Sequence, residues 1–444
     1  MTSTLVSVKL YFIVIVACSF FTLSHLQSGG AVGLNTKSPM RALKLLMVIL
    51  PMSFFLSYFL AWKMLIITPR EKLQQENPKW EQGYFLFKVW TLLLFVLLLF
   101  AHLSFPYMLS MGTMVEVGPV PYILFASLGT SMILGGVLIK MKVLEVLMSC
   151  LLSGFRWRWL ECNWYLIRGA LVAVIVSCLA TVSMMNAAAG PVVKEVQVPV
   201  RKLPLSMNGM KVVQLSDIHI GPTVGRKQLQ QAVATTNSLK PDIVVITGDL
   251  VDSTVEYLTD AVAPLSQLKA RYGVFYVTGN HEYYTHDVKN WIEHLQSLGI
   301  TCLSNKNVKI VDPARAQDWF YIAGTHDIEA KRVMMDEEDH FNLDVALEDT
   351  DSEHAVILLA HQPKAARLAI QSQYDISLIL SGHTHGGQFY PANILSYLAS
   401  PYFAGMYQPK DGSYVYVSSG SWYNGPPLRL FSRSEITLLT LLST

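Results

Sequence analysis

Residues 381–388 read SGHTHGGQ, two histidines one residue apart between glycines, directly after the apolar run 378–380. On an extended or turning backbone, imidazoles so spaced diverge, and they can therefore reach two neighbouring cations rather than chelate one. The flanking glycines let the chain turn sharply and approach an ion closely. Taken alone, His-Thr-His is a weak signal, because a histidine pair in a turn is ordinarily solvated. Its meaning depends on what the rest of the chain brings to the same place.

Around this stretch, residues 191–444 alternate short β-branched runs with amphipathic segments, the pattern of an α/β domain. Five of the runs end alike. Residues 212–215 lead to Ser216, Asp217, Ile218 and His219, and residues 243–246 lead to Gly248, Asp249 and then Asp252. Residues 274–277 lead to Gly279, Asn280, His281 and Glu282, residues 356–359 to His361, and residues 378–380 to Gly382, His383, Thr384 and His385. Open α/β sheets place ligand-binding and catalytic groups just past the carboxyl ends of their strands. Any one of these residues has an ordinary reading, an Asp capping a helix or an Asn-His supplying turn geometry. Five in succession do not.

In this order DIH (217–219), GD (248–249), GNHE (279–282), His361 and GHTH (382–385) resemble the motif set of the calcineurin-like metallophosphoesterases, over about residues 205–440. The resemblance implies a four-layer αββα sandwich, two mixed sheets covered by helices, and a pair of divalent metal ions. It implies that Asp217, His219, Asp249 and His385 hold one metal, and that Asn280, His361, His383 and a shared Asp249 hold the other. His281 would serve the transition state and leaving group, with Asp252 orienting it; the alternative for Asp252 is an exposed turn residue. The donor chemistry agrees, since mixed nitrogen and oxygen ligands without thiolates suit Mn, Fe or Zn better than Ca or Mg. A shared carboxylate offers two oxygens to cations about 3.5 to 4 Å apart, and such a pair lowers the pKa of water toward roughly 7, so that hydroxide attacks phosphorus in line. No covalent protein nucleophile is needed, and Ser216 and the serines at 418–421 lack a G-x-S-x-G setting.

One departure narrows the substrate class. Ser253 and Thr254 follow Asp252 where the Ser/Thr protein phosphatases of this family carry Arg-Gly, whose arginine binds phosphate bidentately. Small or lipid-linked phosphoesters are therefore expected ahead of phosphoproteins, and diesters ahead of monoesters. The NGPPLR segment (424–429) resembles the membrane-associated bacterial-type branch, and Arg429 within it is expected in a surface or strand-end ion pair. Loop roles are expected for His326 and Asp327, and exposed positions for His286, His294, His340 and His354.

The first 190 residues read differently. Hydrophobic residues make up 52% of the 444 and charged residues 15%, too apolar for an ordinary soluble chain, and the excess lies in this half. Five segments are apolar enough to cross a bilayer as helix: about 5–26, 43–62, 86–108, 120–139 and 168–188. The first lacks a convincing signal-peptidase site and is read as a retained anchor. With five spans, Lys63, Arg70, Lys72 and Lys79 share one side with Lys140, Lys142, Arg156 and Arg158, which places the globular half in the lumen or outside by the positive-inside rule. Lys37 and Arg41 count against that orientation.

The expected architecture is thus a multi-pass membrane anchor (1–190) joined to a metallophosphoesterase domain (191–444). Its expected partners are a phosphoester, free or lipid-linked, and the bilayer. A net charge of +2 without a basic stripe points away from nucleic acid. The absence of any CxxC pair points away from a cysteine zinc site or a disulfide framework. Two other classes compete. A transporter or receptor with a regulatory phosphate-binding domain would ordinarily carry charges inside its spans, and the spans' centres have none. A phosphate-binding module without turnover has no use for the whole ligand set together with His281.

Overall fold

The computed structural model describes residue 65 and residues 84–109, 117–151 and 158–444. It opens with three long helices, α1 (Tyr84–Leu109), α2 (Pro119–Leu151) and α3 (Arg158–Ala188). Among the described residues two helical stretches are long and apolar enough to cross a membrane, Pro119–Met148 and Ile167–Ala188, while the apolar run of α1, Val89–Ser104, is shorter. The stretches expected at 5–26 and 43–62 lie outside the described residues. Contacts divide the chain into two compact units, one holding α1, α2 from Ile123 and α3 up to Thr181, the other Val182–Thr444 with residues 117–122.

The helices run further than the apolar segments. Lys140 and Lys142, which the sequence reading puts in a loop, continue α2 because residues 140–151 contain neither Gly nor Pro and are rich in helix formers. Glu145 in this extension accepts from Lys142 at 3.0 Å and from the mostly buried Arg168 of α3 at 2.8 Å. Arg158, also expected in that loop, begins α3.

From Val192 onward the chain is built on two six-stranded mixed sheets. One has the order β1 (Val192–Val200), β12 (Glu435–Ser443), β2 (Lys211–Leu215), β3 (Ile243–Thr247), β4 (Val274–Val277), β5 (Thr301–Cys302). The other runs β10 (Gly405–Lys410), β11 (Ser413–Val417), β9 (Leu378–Ser381), β8 (Val356–Leu359), β7 (Arg315–Gly324), β6 (Lys306–Asp312). Strands β2 to β5 are mutually parallel, as are β7, β8, β9 and β11, so each set delivers its loops to one edge.

Side-chain alternation sorts the buried residues into layers, because successive residues of a strand point to opposite faces. Val213, Val244 and Tyr276 face α4 (Arg226–Ser238), α5 (Val255–Val262) and, beyond the short helix α6 (Asn280–Tyr284), α7 (Val288–Ser297), where Leu229, Leu258 and Trp291 complete a core. Their neighbours Val212, Val245 and Phe275 pack against Phe320, Ile357 and Leu378 of the other sheet. On that sheet's far face Tyr321, Leu358 and Ile379 meet Ala365, Ala366 and Ala369 of α8 (Pro363–Gln371). Each fully buried Val, Leu, Ile or Phe contributes about 1.5 to 3 kcal/mol. The strands are thereby fixed in register, and with them the position of every loop that follows.

Candidate metal centre

In five of these loops the first expected ligand stands two or three residues past a strand end, and the two sheets bring them together. The loop after β2 pairs with the loop after β3: the Asp217 N–H donates to the Gly248 carbonyl and the His219 N–H to the Asp249 carbonyl, each at 3.0 Å. Between sheets, the His383 N–H donates to both carboxylate oxygens of Asp217, at 2.9 and 3.1 Å. No side chain fits where these backbones touch. A Cβ on Gly279 would lie 2.2 Å from Asp249 Oδ1, and one on Gly382 would lie 2.2 Å from Asp217 Oδ2.

Five of the seven expected ligands have left-handed backbone: Asp217 (φ 53), His219 (φ 54), Asp249 (φ 50), His383 (φ 71) and His385 (φ 51). Asp and His tolerate this region better than most residues, yet each costs roughly 1 to 2 kcal/mol. Strain gathered on so many neighbouring side chains marks a functional constraint.

The side chains form two clusters whose ligand atoms lie within 4.8 Å of one another, Asp217 with His219 and His385, and Asp249 with His361 and His383. In the first, the Nε2 atoms of His219 and His385 stand 3.0 Å apart, with Asp217 Oδ1 at 3.4 Å from the latter. In the second, His361 Nε2 lies 3.2 Å from both Asp249 Oδ2 and Asn280 Oδ1. Asp249 Oδ2 is also 3.7 Å from His219 Nε2, so this carboxylate lies between the two clusters.

These residues fit divalent cations. The Nδ1 of His383 is buried and makes no hydrogen bond within the protein, and burial, reinforced by His361, pushes this histidine down to about 3. Burial and the Arg429 cation likewise hold His385 far below the usual range. Neutral His383 and His385 beside buried carboxylates make a cation site, and without a cation the buried Nδ1 of His383 is left unpaired.

Asp252 is buried, and its Oδ1 accepts from two imidazoles, His219 Nδ1 at 2.8 Å and His281 Nδ1 at 2.7 Å. Burial favours the neutral acid, but His219 and then His281 outweigh it and hold Asp252 well below the carboxylate range. The other side of the His281 ring, Nε2, lies 3.1 Å from the Asn424 side-chain amide. Burial would lower His281, yet Asp249 and Asp252 raise it to about 9.

Sequence reasoning missed three residues that hold this arrangement. Glu282 accepts from four backbone N–H groups, those of Asp249, Leu250, Val251 and Gly279, at 2.6 to 3.2 Å, tying the β3 loop to the β4 loop. Its signal was present, since Gly279-x-x-Glu282 has capping-box spacing. Asn424 had no signal beyond membership of NGPPLR. Arg429, expected in a surface or strand-end ion pair, is fully buried; its Nη1 donates to the carbonyls of His385 at 2.7 Å and Ser419 at 2.8 Å, and its Nη2 faces His385 Nδ1 at 3.0 Å. Because its acceptors are mostly carbonyls, which every residue carries, no partner was visible in the sequence. His326 and Asp327, read as loop residues, are buried, His326 against the Tyr283 hydroxyl at 2.7 Å and Asp327 accepting from Gln362 at 2.9 Å.

Two mixed sheets that converge their strand ends on clustered Asp and His side chains, with a carboxylate-held histidine beside them, define a metal-dependent phosphoesterase. Residues 210–387 match the calcineurin-like phosphoesterase family, and the chain belongs to it. It is 43% identical over 372 residues to the Bos taurus protein called transmembrane protein with metallophosphoesterase domain, covering 80% of this chain and 81% of that one. To the Danio rerio protein of the same name it is 48% identical over 272 residues, 61% of this chain and 62% of that one. A Helicobacter pylori protein described as an uncharacterized metallophosphoesterase is 37% identical over 254 residues, 57% of this chain and 65% of that one.

Proposed function

We propose that the chain is a membrane-anchored hydrolase of small or lipid-linked phosphoesters that works with two divalent cations, Mn, Fe or Zn. The observation that carries this reading is Asp249, whose carboxylate lies between the two ligand clusters. In it Asp217, His219, Asp249 and His385 hold one cation, and Asn280, His361, His383 and Asp249 the other. When bound, such a pair polarises phosphoryl oxygens and makes water acidic enough to attack at neutral pH.

The chain's own residues do the rest. Asp252 accepts the Nδ1 proton of His281 and helps keep the ring charged, so that Nε2 carries a proton at the edge where a leaving oxygen takes one up as the ester bond breaks. Asn424 meets that edge with its side-chain amide, whose oxygen accepts from the protonated Nε2 and fixes the plane of the ring. Glu282 keeps the β3 and β4 loops at the separation that the ligands need.

Residues 1–190 form the anchor in this reading, with five spans, and residues 191–444 the catalytic domain, on the lumenal or outer side. The two candidate spans, Pro119–Met148 and Ile167–Ala188, support it, as do the names of the bovine and zebrafish relatives. Protease protection of a carboxy-terminal tag in sealed vesicles tests the orientation, and digestion from the cytoplasmic side reverses it. The activity is tested with the full-length chain in detergent, supplied with Mn and a panel of aryl phosphomonoesters and diesters, beside Asp249→Asn. Hydrolysis that disappears in the variant supports the reading; equal rates in both proteins contradict it.

A further inference from the structure

Helix α9 (Ala392–Ala399) follows the SGHTHGGQ turn directly and buries none of its eight residues. Its large side chains face out: Leu395 is 70% exposed and Leu398 75%, with Ile394 and Tyr397 exposed beside them. An isolated surface leucine means nothing, but a contiguous apolar helix face marks an interaction surface. Phe431 is likewise exposed, at 77%, and its φ of 66 puts a bulky residue in the left-handed region. That conformation is an outlier for an aromatic side chain. The chain accepts a strained backbone there and gains no core packing from the ring.

The same region is joined to the end of α3. The Arg429 N–H donates to the Ser183 carbonyl at 2.9 Å, Asn186 Nδ2 donates to the Arg429 carbonyl at 3.1 Å, and Arg433 Nη1 donates to Asn186 Oδ1 at 3.2 Å. Phe431 therefore sits between two residues pinned to the last turns of the apolar stretch Ile167–Ala188. Only three residues separate α3 from β1, a reach of about 14 Å. Val193 and Phe431 line one open cleft of about 380 Å³ with Phe403, whose ring packs on Tyr397 of α9 at 5.4 Å. Phe431, the cleft, whose lining also holds Lys194, Arg433 and Glu435, and α9 thus form one rim of apolar and basic side chains at the level where α3 ends.

We propose that this rim rests in the bilayer surface, with α9 as an interfacial helix and Phe431 as an aromatic anchor. The proposal depends on the reading that α3 crosses the membrane. A lipid surface is the occupant because the segment that carries Phe431 is hydrogen-bonded to the terminus of that span, where interfacial aromatic and aliphatic side chains reach the headgroup and acyl boundary. Since α9 begins four residues after the Gln388 of SGHTHGGQ, the metal centre would then open close to the lipid headgroups. Lipid phosphoesters at the membrane surface become the favoured substrate class.

The test uses the full-length chain in palmitoyl-oleoyl phosphatidylcholine vesicles carrying the tritiated lipid. The photo-crosslinking residue p-benzoyl-phenylalanine is placed singly at Leu398, Phe431, Ile175 of α3 and Leu205. Leu205 is exposed beyond the far end of β1, roughly 26 Å along that strand from Val192. Tritium taken up at 398 and 431 at levels close to that at 175, and several-fold above that at 205, is the expected result. Labelling at 175 with 398 and 431 no higher than 205 would overturn the docking and leave the anchor standing. No labelling at 175 would remove the anchor and the docking with it. A protein adduct of doubled mass at 398 or 431, in place of lipid, would assign the face to a second copy of the chain and overturn the proposal.

Discussion

A single carboxylate oxygen of Asp252 holds two imidazoles, and this makes it the residue through which His219 and His281 are aligned. Asp252→Asn is expected to lower kcat about 10²-fold or more, the range general acid–base groups contribute, while elemental analysis still finds metal. An unchanged kcat would mean that the histidines are positioned by something else. Glu282 acts earlier, on the backbone. Hydrogen bonds to a charged group are worth about 1.5 to 3 kcal/mol each, so Glu282→Gln, which loses the charge and one acceptor oxygen, is expected to destabilise the domain by at least about 2 kcal/mol. Chemical denaturation measures this, and a curve superimposable on that of the unaltered protein would contradict it. The ligand residues were legible in the sequence because each follows a β-branched run, and their chemical types restrict what they can do there. Glu282 and Asn424 were not singled out, because their partners are backbone groups and a distant ring that only the fold brings near.

At the scale of the element, the centre depends on how closely strand-end loops approach. Gly279 and Gly382 mark the two tightest contacts, each next to a carboxylate of the centre. Gly279→Ala is expected to displace the Asp249 carboxylate or to cost about 1 to 3 kcal/mol, as overpacked sites do. Thermal unfolding with and without added Mn separates the two results: loss of the cation's stabilising effect reports the first, a lower midpoint that Mn still raises reports the second, and no change in either would contradict the close approach. All five expected strands formed, because buried parallel strands read as short apolar runs. Strand β12 illustrates the limit of that reading. It inserts between β1 and β2 and so sets the first sheet's order, yet nothing in EITLLTLLS says which strands it will pair with. The ends of α2 and α3 were misplaced for a simpler reason. Hydropathy marks where a helix is apolar, whereas propensity and the absence of Gly or Pro decide where it stops.

For the whole molecule, two candidate spans among the described residues precede the catalytic domain, and the last of them ends three residues before its first strand. The full-length protein is expected to stay with membranes through alkaline carbonate washing and to leave them only with detergent. Release by carbonate would contradict an anchor that crosses the bilayer. The proposed function requires that side chains from five strand ends hold a pair of cations. Elemental analysis of the full-length protein, loaded with Mn, Fe or Zn and freed of excess, measures it directly. About two divalent ions per chain, falling to one or none in Asp249→Asn, is the expected result; a folded chain that takes up fewer than two under every loading would contradict it.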